Sequence, residues 1–224
     1  MNVDHIVISV PARNEEDTLS TCLESIRTSR SLIEIPTTLV VVLDACTDAT
    51  AAIAHTFDDV RILERTHRNV GRARHDAIAY GLHTAAAPLE RTWIAFTDAD
   101  TTVPAEWLPT HLAAAQEADA YVGAVIPRLS DLDDRRRSAW HTTHPPGATI
   151  GHVHGANLGV RASAYLAVGG IDHATVGEDV DLIEKLRKAG HRIIANETHP
   201  VVTSARLIGR AHGGYADYLR NLLT

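Results

Sequence analysis

Trp93-Ile94-Ala95-Phe96-Thr97-Asp98-Ala99-Asp100 is the stretch on which the reading of this chain turns. An apolar run ends abruptly in two carboxylates set one residue apart. Residues i and i+2 of a strand point to the same side, so the two acids converge just past a strand end. Hard divalent ions take oxygen ligands, and Mg2+ is held by one or two carboxylates together with substrate phosphates. The stretch therefore reads as a metal-diphosphate site. The competing reading is a polar turn before a helix, because Pro104 and Glu106 open one just afterwards. An isolated Asp-x-Asp favours the turn, so the rest of the chain decides.

Residues 5–12, His5 to Ala12, form a β-branched apolar run suited to a strand buried on both faces of a parallel sheet. Asn14 is expected to cap a helix with Glu15, Glu16 and Asp17 in its first turn. Leu19, Cys22, Leu23 and Ile26 recur behind them at helical spacing. The unit then repeats. A strand over 39–43 ends in Asp44 and leads to a helix over 49–57. A third strand over 60–64 leads to a helix from Asn69, with Val70, Ala73, Ala77, Ile78, Gly81 and Leu82 on its inner face. Residues 92–96 are the fourth strand. This alternation predicts an α/β sandwich with a largely parallel sheet. Ligands of such sheets bind beyond the carboxyl ends of the strands. Asn14, Glu15, Asp44 and Asp98 all lie just past strand ends, so one topology gathers them on one edge.

The second half is less regular. It predicts a helix over 104–118, a strand over 120–126 and a long excursion over 127–151 holding Arg135, Arg136, Arg137 and Trp140. A strand over 152–160 places His152 and His154 on one face, and a helix follows over 161–168. Glu178 and Asp179 open a further helix that Gly190 stops. A last strand spans 191–195, and a short helix lies within 215–223.

The chain has 224 residues, enough for one sizeable core. Its net charge of −7 argues against nucleic acid as a partner. Only Cys22 and Cys46 occur, which suggests free thiols in a reducing compartment. No apolar run reaches transmembrane length, and the N-terminus does not read as a signal peptide. A cytoplasmic protein is expected, peripheral to the membrane if its substrate is lipid-linked.

Six stretches, in order, resemble the family 2 glycosyltransferases. They are Val10–Glu16, Asp44–Thr50, Asn69–Arg74, Asp98–Asp100, Gly155–Arg161 and Gly177–Leu182. The resemblance implies the GT-A fold, a three-layer sandwich with a mostly parallel central sheet, in a single domain. Residues 1–102 would be its nucleotide-binding half, and 103–224 its acceptor-binding half and tail. It implies that Pro11, Ala12, Asn14 and Glu15 cradle the nucleoside and that Asp44 reads the base edge. Gly71 and Arg74 would lie along the nucleotide. Asp98 and Asp100 would hold the ribose and, through Mn2+ or Mg2+, the diphosphate. Asp179 would be the general base, with Glu178 beside it near the acceptor. Some GT-A enzymes add a late histidine to the metal shell; His199 and His212 are candidates, and His212 is preferred because Arg206 and Arg210 precede it. Those arginines and the Gly213-Gly214 pair are expected to form a loop over the diphosphate.

The implied reaction is transfer of a sugar from a nucleotide-diphosphate donor, a UDP-sugar by preference and a GDP-sugar as the alternative, to a small-molecule, glycan or lipid-linked acceptor. Direct displacement inverts the anomeric centre, although related GT-A folds retain it. The processive polymerases' acceptor signature is missing, which implies single transfers. The chain departs from the family at Ala45 and Cys46, where Gly and Ser are usual, and at Leu43, where a further Asp is usual. Base preference is the property those changes touch. A nucleotidyltransferase would need a glycine-rich basic loop after the first strand, where this chain has Pro11-Ala12-Arg13-Asn14-Glu15-Glu16. A phosphatase would carry its Asp-x-Asp after the first strand instead of the fourth. A sugar-nucleotide-binding protein without transferase activity would not need both acidic pairs.

Overall fold

The computed structural model describes residues 2–173, 176–209 and 214–223. The apolar runs of the first half are strands: β1 (His5–Ala12), β2 (Thr37–Asp44), β3 (Arg61–Arg65) and β4 (Thr92–Phe96). Helices α1 (Leu19–Arg30), α2 (Thr50–Ala54) and α3 (Val70–Thr84) connect them. The second half adds β5 (Thr101–Thr102), α4 (Trp107–Glu117), β6 (Ala120–Pro127) and α5 (Asp134–Thr143). It continues with β7 (Leu158–Arg161), α6 (Ala162–Ala167), α7 (Glu178–Lys188), β8 (Ile193–Thr203) and α8 (Tyr215–Arg220).

The strands form one eight-stranded sheet in the order β3-β2-β1-β4-β7-β6-β8-β5. Pairings β1–β2, β1–β4, β2–β3 and β6–β8 are parallel, whereas β7 and β5 run antiparallel to their neighbours. The parallel half therefore matches the βαβ reading, and β7 reverses the sense beyond it. From β1 the chain first builds outward through β2 and β3, then returns to place β4 on the other side. This is a topological switch point, where the loops on either side part and leave a crevice at the carboxyl edge.

Side-chain alternation explains the three layers. Ile6, Ile8, Val10, Leu39, Val41, Leu43 and Trp93 face one side and pack with Leu19, Leu23 and Ile26 of α1 and Trp107 and Leu108 of α4. Val40 and Val42 face the other side against Ala73 and Ala77 of α3. Ile94, Phe96, Val122, Leu158 and Val160 share that side with Leu182, Ile183 and Leu186 of α7. Each fully buried aliphatic or aromatic side chain of this kind contributes about 1.5–3 kcal/mol. α3 crosses β1 so closely that a Cβ at Gly81 would lie 2.2 Å from Val7 Cγ1.

Three expectations are corrected. Asn14 does not cap α1: it has φ 55°, and the helix begins only at Leu19. The excursion over 127–151 is not structureless, because Asp133 caps α5 by accepting from Arg136 N. The run over 152–160 is a strand only from Leu158, so His152 and His154 share no strand face. The Arg135–Arg137 run is solvated and balanced locally, with Arg136 on Asp133 and Arg137 on Asp134.

Candidate active site

The strand ends bring the acids together. Asp98 and Asp100 follow β4, Glu15 follows β1, and Asp44 closes β2. The backbone is contorted along this same edge. Among the described residues, the non-glycines with positive φ are Asn14 (55°), Ala45 (56°) and Arg68 (51°), each just beyond β1, β2 or β3. Left-handed backbone at non-glycine residues costs energy and clusters where function requires it.

Arg74, on α3, lies beneath the acids and is 3% exposed. Its Nη2 donates to Asp98 Oδ1 at 2.5 Å and its Nη1 to Glu178 Oε1 at 2.6 Å. One buried cation thus ties the acidic pair after β4 to the acidic pair that opens α7. Burial alone would lower the Arg74 pKa, but Asp98 and Glu178 outweigh it and raise it. The same burial raises the pKa of Glu178, against the opposing pull of Arg74. Gly155 makes room for this guanidinium, since a Cβ there would sit 1.9 Å from Arg74 Nη1. Arg74 is thus a buried counter-ion to Asp98 and Glu178. Gly71, one turn earlier, is buried in α3, whose start is capped by Asn69 accepting from Arg72 N.

Asp100 is held by the far end of the sheet. β5 pairs with β8 at Thr101↔Thr203, and Ser204 N donates to Asp100 O at 3.1 Å. Thr203 Oγ1 donates to Asp100 Oδ1 at 3.3 Å, and Arg206 Nη2 lies 2.8 Å from Asp100 Oδ2. Burial raises the Asp100 pKa; Arg206 opposes the rise and Asp98 adds to it. Arg206 Nη1 also donates to both oxygens of Glu15, at 2.9 and 3.0 Å.

Asp179 is half-buried at the first turn of α7, and its Oδ2 accepts from Gly155 N at 2.6 Å. Asp44 is 4% exposed and accepts from two backbone amides, Arg68 N at 2.8 Å and Asn69 N at 2.7 Å. It anchors the β3–α3 loop. Asn14 Oδ1 accepts from Thr47 N at 2.8 Å, which joins the loops after β1 and β2. Pro11 and Ala12 are the last residues of β1, paired with Val42 and Leu43. His199 is turned away, with Nδ1 2.8 Å from Thr110 Oγ1 on α4. His212 and Arg210 lie outside the described residues.

Among the described residues no group of three or more His, Cys, Asp or Glu side chains is placed to enclose a metal ion. The donor set nevertheless suits an ion that takes the remainder of its ligands from a diphosphate. Asp98 and Asp100 supply hard oxygens, and Asp98 keeps 33% of its side chain exposed.

Sequence reasoning missed the β5–β8 pairing that carries Arg206 to Asp100. A two-residue strand leaves no periodic signal. It also missed a buried network behind β4. Trp93 Nε1 donates to His111 Nδ1 at 3.1 Å, and Trp107 Nε1 donates to Asn157 Oδ1 at 3.0 Å. With Nδ1 accepting, His111 carries its proton on Nε2 and offers it to Asn157 Oδ1, 3.4 Å away. Burial pushes the His111 pKa down to about 3, slightly offset by Asn157. A helical His at an inward position was the available signal.

An α/β/α sandwich whose switch point carries acidic side chains from β1, β4 and α7 defines a protein of the GT-A class. The chain belongs to glycosyl transferase family 2, whose model matches residues 7–167. Solved structures share the fold. One is TarS 1–349 of S. aureus in complex with UDP-GlcNAc, with 16% identity and TM-score 0.66, covering 96% of this chain and 62% of that one. Another is the mannosyltransferase PcManGT from Pyrobaculum calidifontis in complex with GDP-Man and Mn2+, with 21% identity and TM-score 0.64, covering 97% and 60%. The chain thus spans about three fifths of the length of these two structures, 62% and 60%. No curated protein matches it.

Proposed function

We propose that this chain is a metal-dependent, inverting, non-processive glycosyltransferase that uses a nucleotide-diphosphate sugar. The observation that carries the reading is the Asp98–Arg74–Glu178 bridge, which fixes the donor-side acids to the acceptor-side pair in one rigid arrangement. Similarity to structures bound to UDP-GlcNAc and to GDP-Man with Mn2+ supports a nucleotide-sugar donor. A UDP-sugar is the first choice and a GDP-sugar the second.

Asp98 and Asp100 are the residues that would hold Mn2+ or Mg2+. A bound divalent ion supplies neutralisation of the charge that builds on a departing diphosphate. Pro11, Ala12, Asn14 and Glu15 border the crevice on the nucleoside side, with Gly71 at the start of α3. Each Asp44 oxygen keeps a second lone pair while it anchors the loop, so its carboxylate is assigned to the base edge. Asp179 accepts the acceptor hydroxyl's proton as that oxygen bonds the anomeric carbon and the bond to the diphosphate breaks. The amide of Gly155 orients Asp179 for this task. Glu178, tied to Arg74, positions the helix start.

The acceptor is a small molecule, a glycan or a lipid-linked compound. Among the described residues no helix is long and apolar enough to cross a membrane. The test is donor turnover with UDP- and GDP-sugars. Asp179→Asn should lower kcat by about 10²–10⁴-fold, the range for a general base, with donor affinity little changed. Full activity in Asp179→Asn would remove the assigned base.

A further inference from the structure

Arg206 lies three residues beyond β8, and its guanidinium is shared between carboxylates from distant parts of the chain. Nη1 is bound to both oxygens of Glu15, and Nη2 to Asp100 Oδ2. The Glu15 and Asp100 side chains are 7% and 10% exposed, whereas that of Arg206 is 30% exposed. Thr203 takes the other oxygen of Asp100. A second cation approaching Asp100 Oδ2 must therefore share that oxygen with a guanidinium or displace it.

We propose that Arg206 is a resident cation of the acidic pair. It competes with the divalent ion for Asp100 and turns to the donor's diphosphate when the ion takes that oxygen. The inference rests on the metal reading of Asp98 and Asp100 given above. Glu15 acts here as a positioning residue that seats the guanidinium beside Asp100. Guanidinium and diphosphate match as charged, bidentate partners, so the displaced arginine finds a new anion only when donor is present. Metal and nucleotide should accordingly bind together more tightly than either binds alone, a reciprocal coupling.

The experiment measures Mn2+ binding by electron paramagnetic resonance of the free ion, without nucleotide and with UDP. The proteins are wild type, Arg206→Gln and Arg206→Lys, with Arg206→Met in reserve should the glutamine variant not fold by circular dichroism. Removing a unit charge next to the ligand oxygen should tighten Mn2+ binding without nucleotide by about tenfold. Arg206→Lys should stay near wild type. With UDP present the advantage of Arg206→Gln should vanish or reverse, because the diphosphate has lost its arginine. Equal or weaker Mn2+ affinity in Arg206→Gln without nucleotide, while wild type binds Mn2+ with UDP, overturns the resident-cation inference alone. Absence of Mn2+ binding in every protein even with UDP removes the metal reading beneath it.

Discussion

Single side chains carry most of the charge logic. Arg74 is the sharpest case, because both of its partners depend on it and Glu178 is 4% exposed. Arg74→Met should destabilise the fold by about 3–5 kcal/mol, the cost of leaving a buried charge without its partner. Urea unfolding at pH 7 measures this, and a loss below about 1 kcal/mol would contradict the buried-bridge account. His111 gives a pH-dependent prediction with a definite sign. Its folded pKa of about 3 lies below the ordinary histidine value of 6.5. The unfolded chain therefore binds the extra proton between those values, and the contribution of neutral His111 is present above about pH 6.5 and lost as pH falls toward 3. His111→Phe should make the decline in stability over that window shallower by up to about 1.4 kcal/mol per pH unit. Identical slopes in the two proteins would show that His111 does not titrate on unfolding. Little of this was legible in the sequence. Asp98 and Asp100 announce themselves by spacing, but a lone Arg within an amphipathic helix gives no sign that it is a buried counter-ion.

Elements were more readable than contacts. β1, β2 and β4 are short β-branched runs, and a strand buried on both faces needs nothing else to be visible. Helix α3 was equally clear, because Asn69 caps it and small apolar residues repeat along one face. Asn14 misled for a physical reason: the residue types that cap helices also tolerate left-handed backbone, and here the second use applies. The excursion over 127–151 misled because its helix α5 is almost wholly polar outside Trp140. Ala45 offers a test at this scale. It holds φ 56° where the family usually has Gly. Ala45→Gly relieves left-handed strain of about 1–2 kcal/mol and loses part of that gain to the freer unfolded chain. A net stabilisation of roughly 0.5–1 kcal/mol is expected in thermal or urea unfolding, and destabilisation would mean that the turn is not strained. The opposite sign is expected at Gly81, where the added methyl meets Val7. Gly81→Ala should cost about 1–3 kcal/mol through overpacking of α3 on β1.

Over the whole molecule, topology turns six weak motifs into one site. The switch point between β1 and β4 collects Glu15, Asp98 and Asp100, and the short β5–β8 pairing at the sheet's far edge closes it with Arg206. The parallel half was legible because strand and helix alternate there. The mixed half was clearly legible only in β6, since β5 is two residues long and β7 is four. Donor base and acceptor stayed illegible for a different reason: they depend on surfaces built from loops, and loops carry no period. The central claim is that Asp98 and Asp100 clamp a metal-bound nucleotide diphosphate. Thermal shift with UDP and GDP, each with and without Mn2+, tests it most directly, on wild type and on Asp98→Asn and Asp100→Asn. The account predicts a rise in Tm for wild type that requires nucleotide and Mn2+ together, and its loss in both variants. Stabilisation by nucleotide that ignores Mn2+, or that survives in both variants, would contradict it.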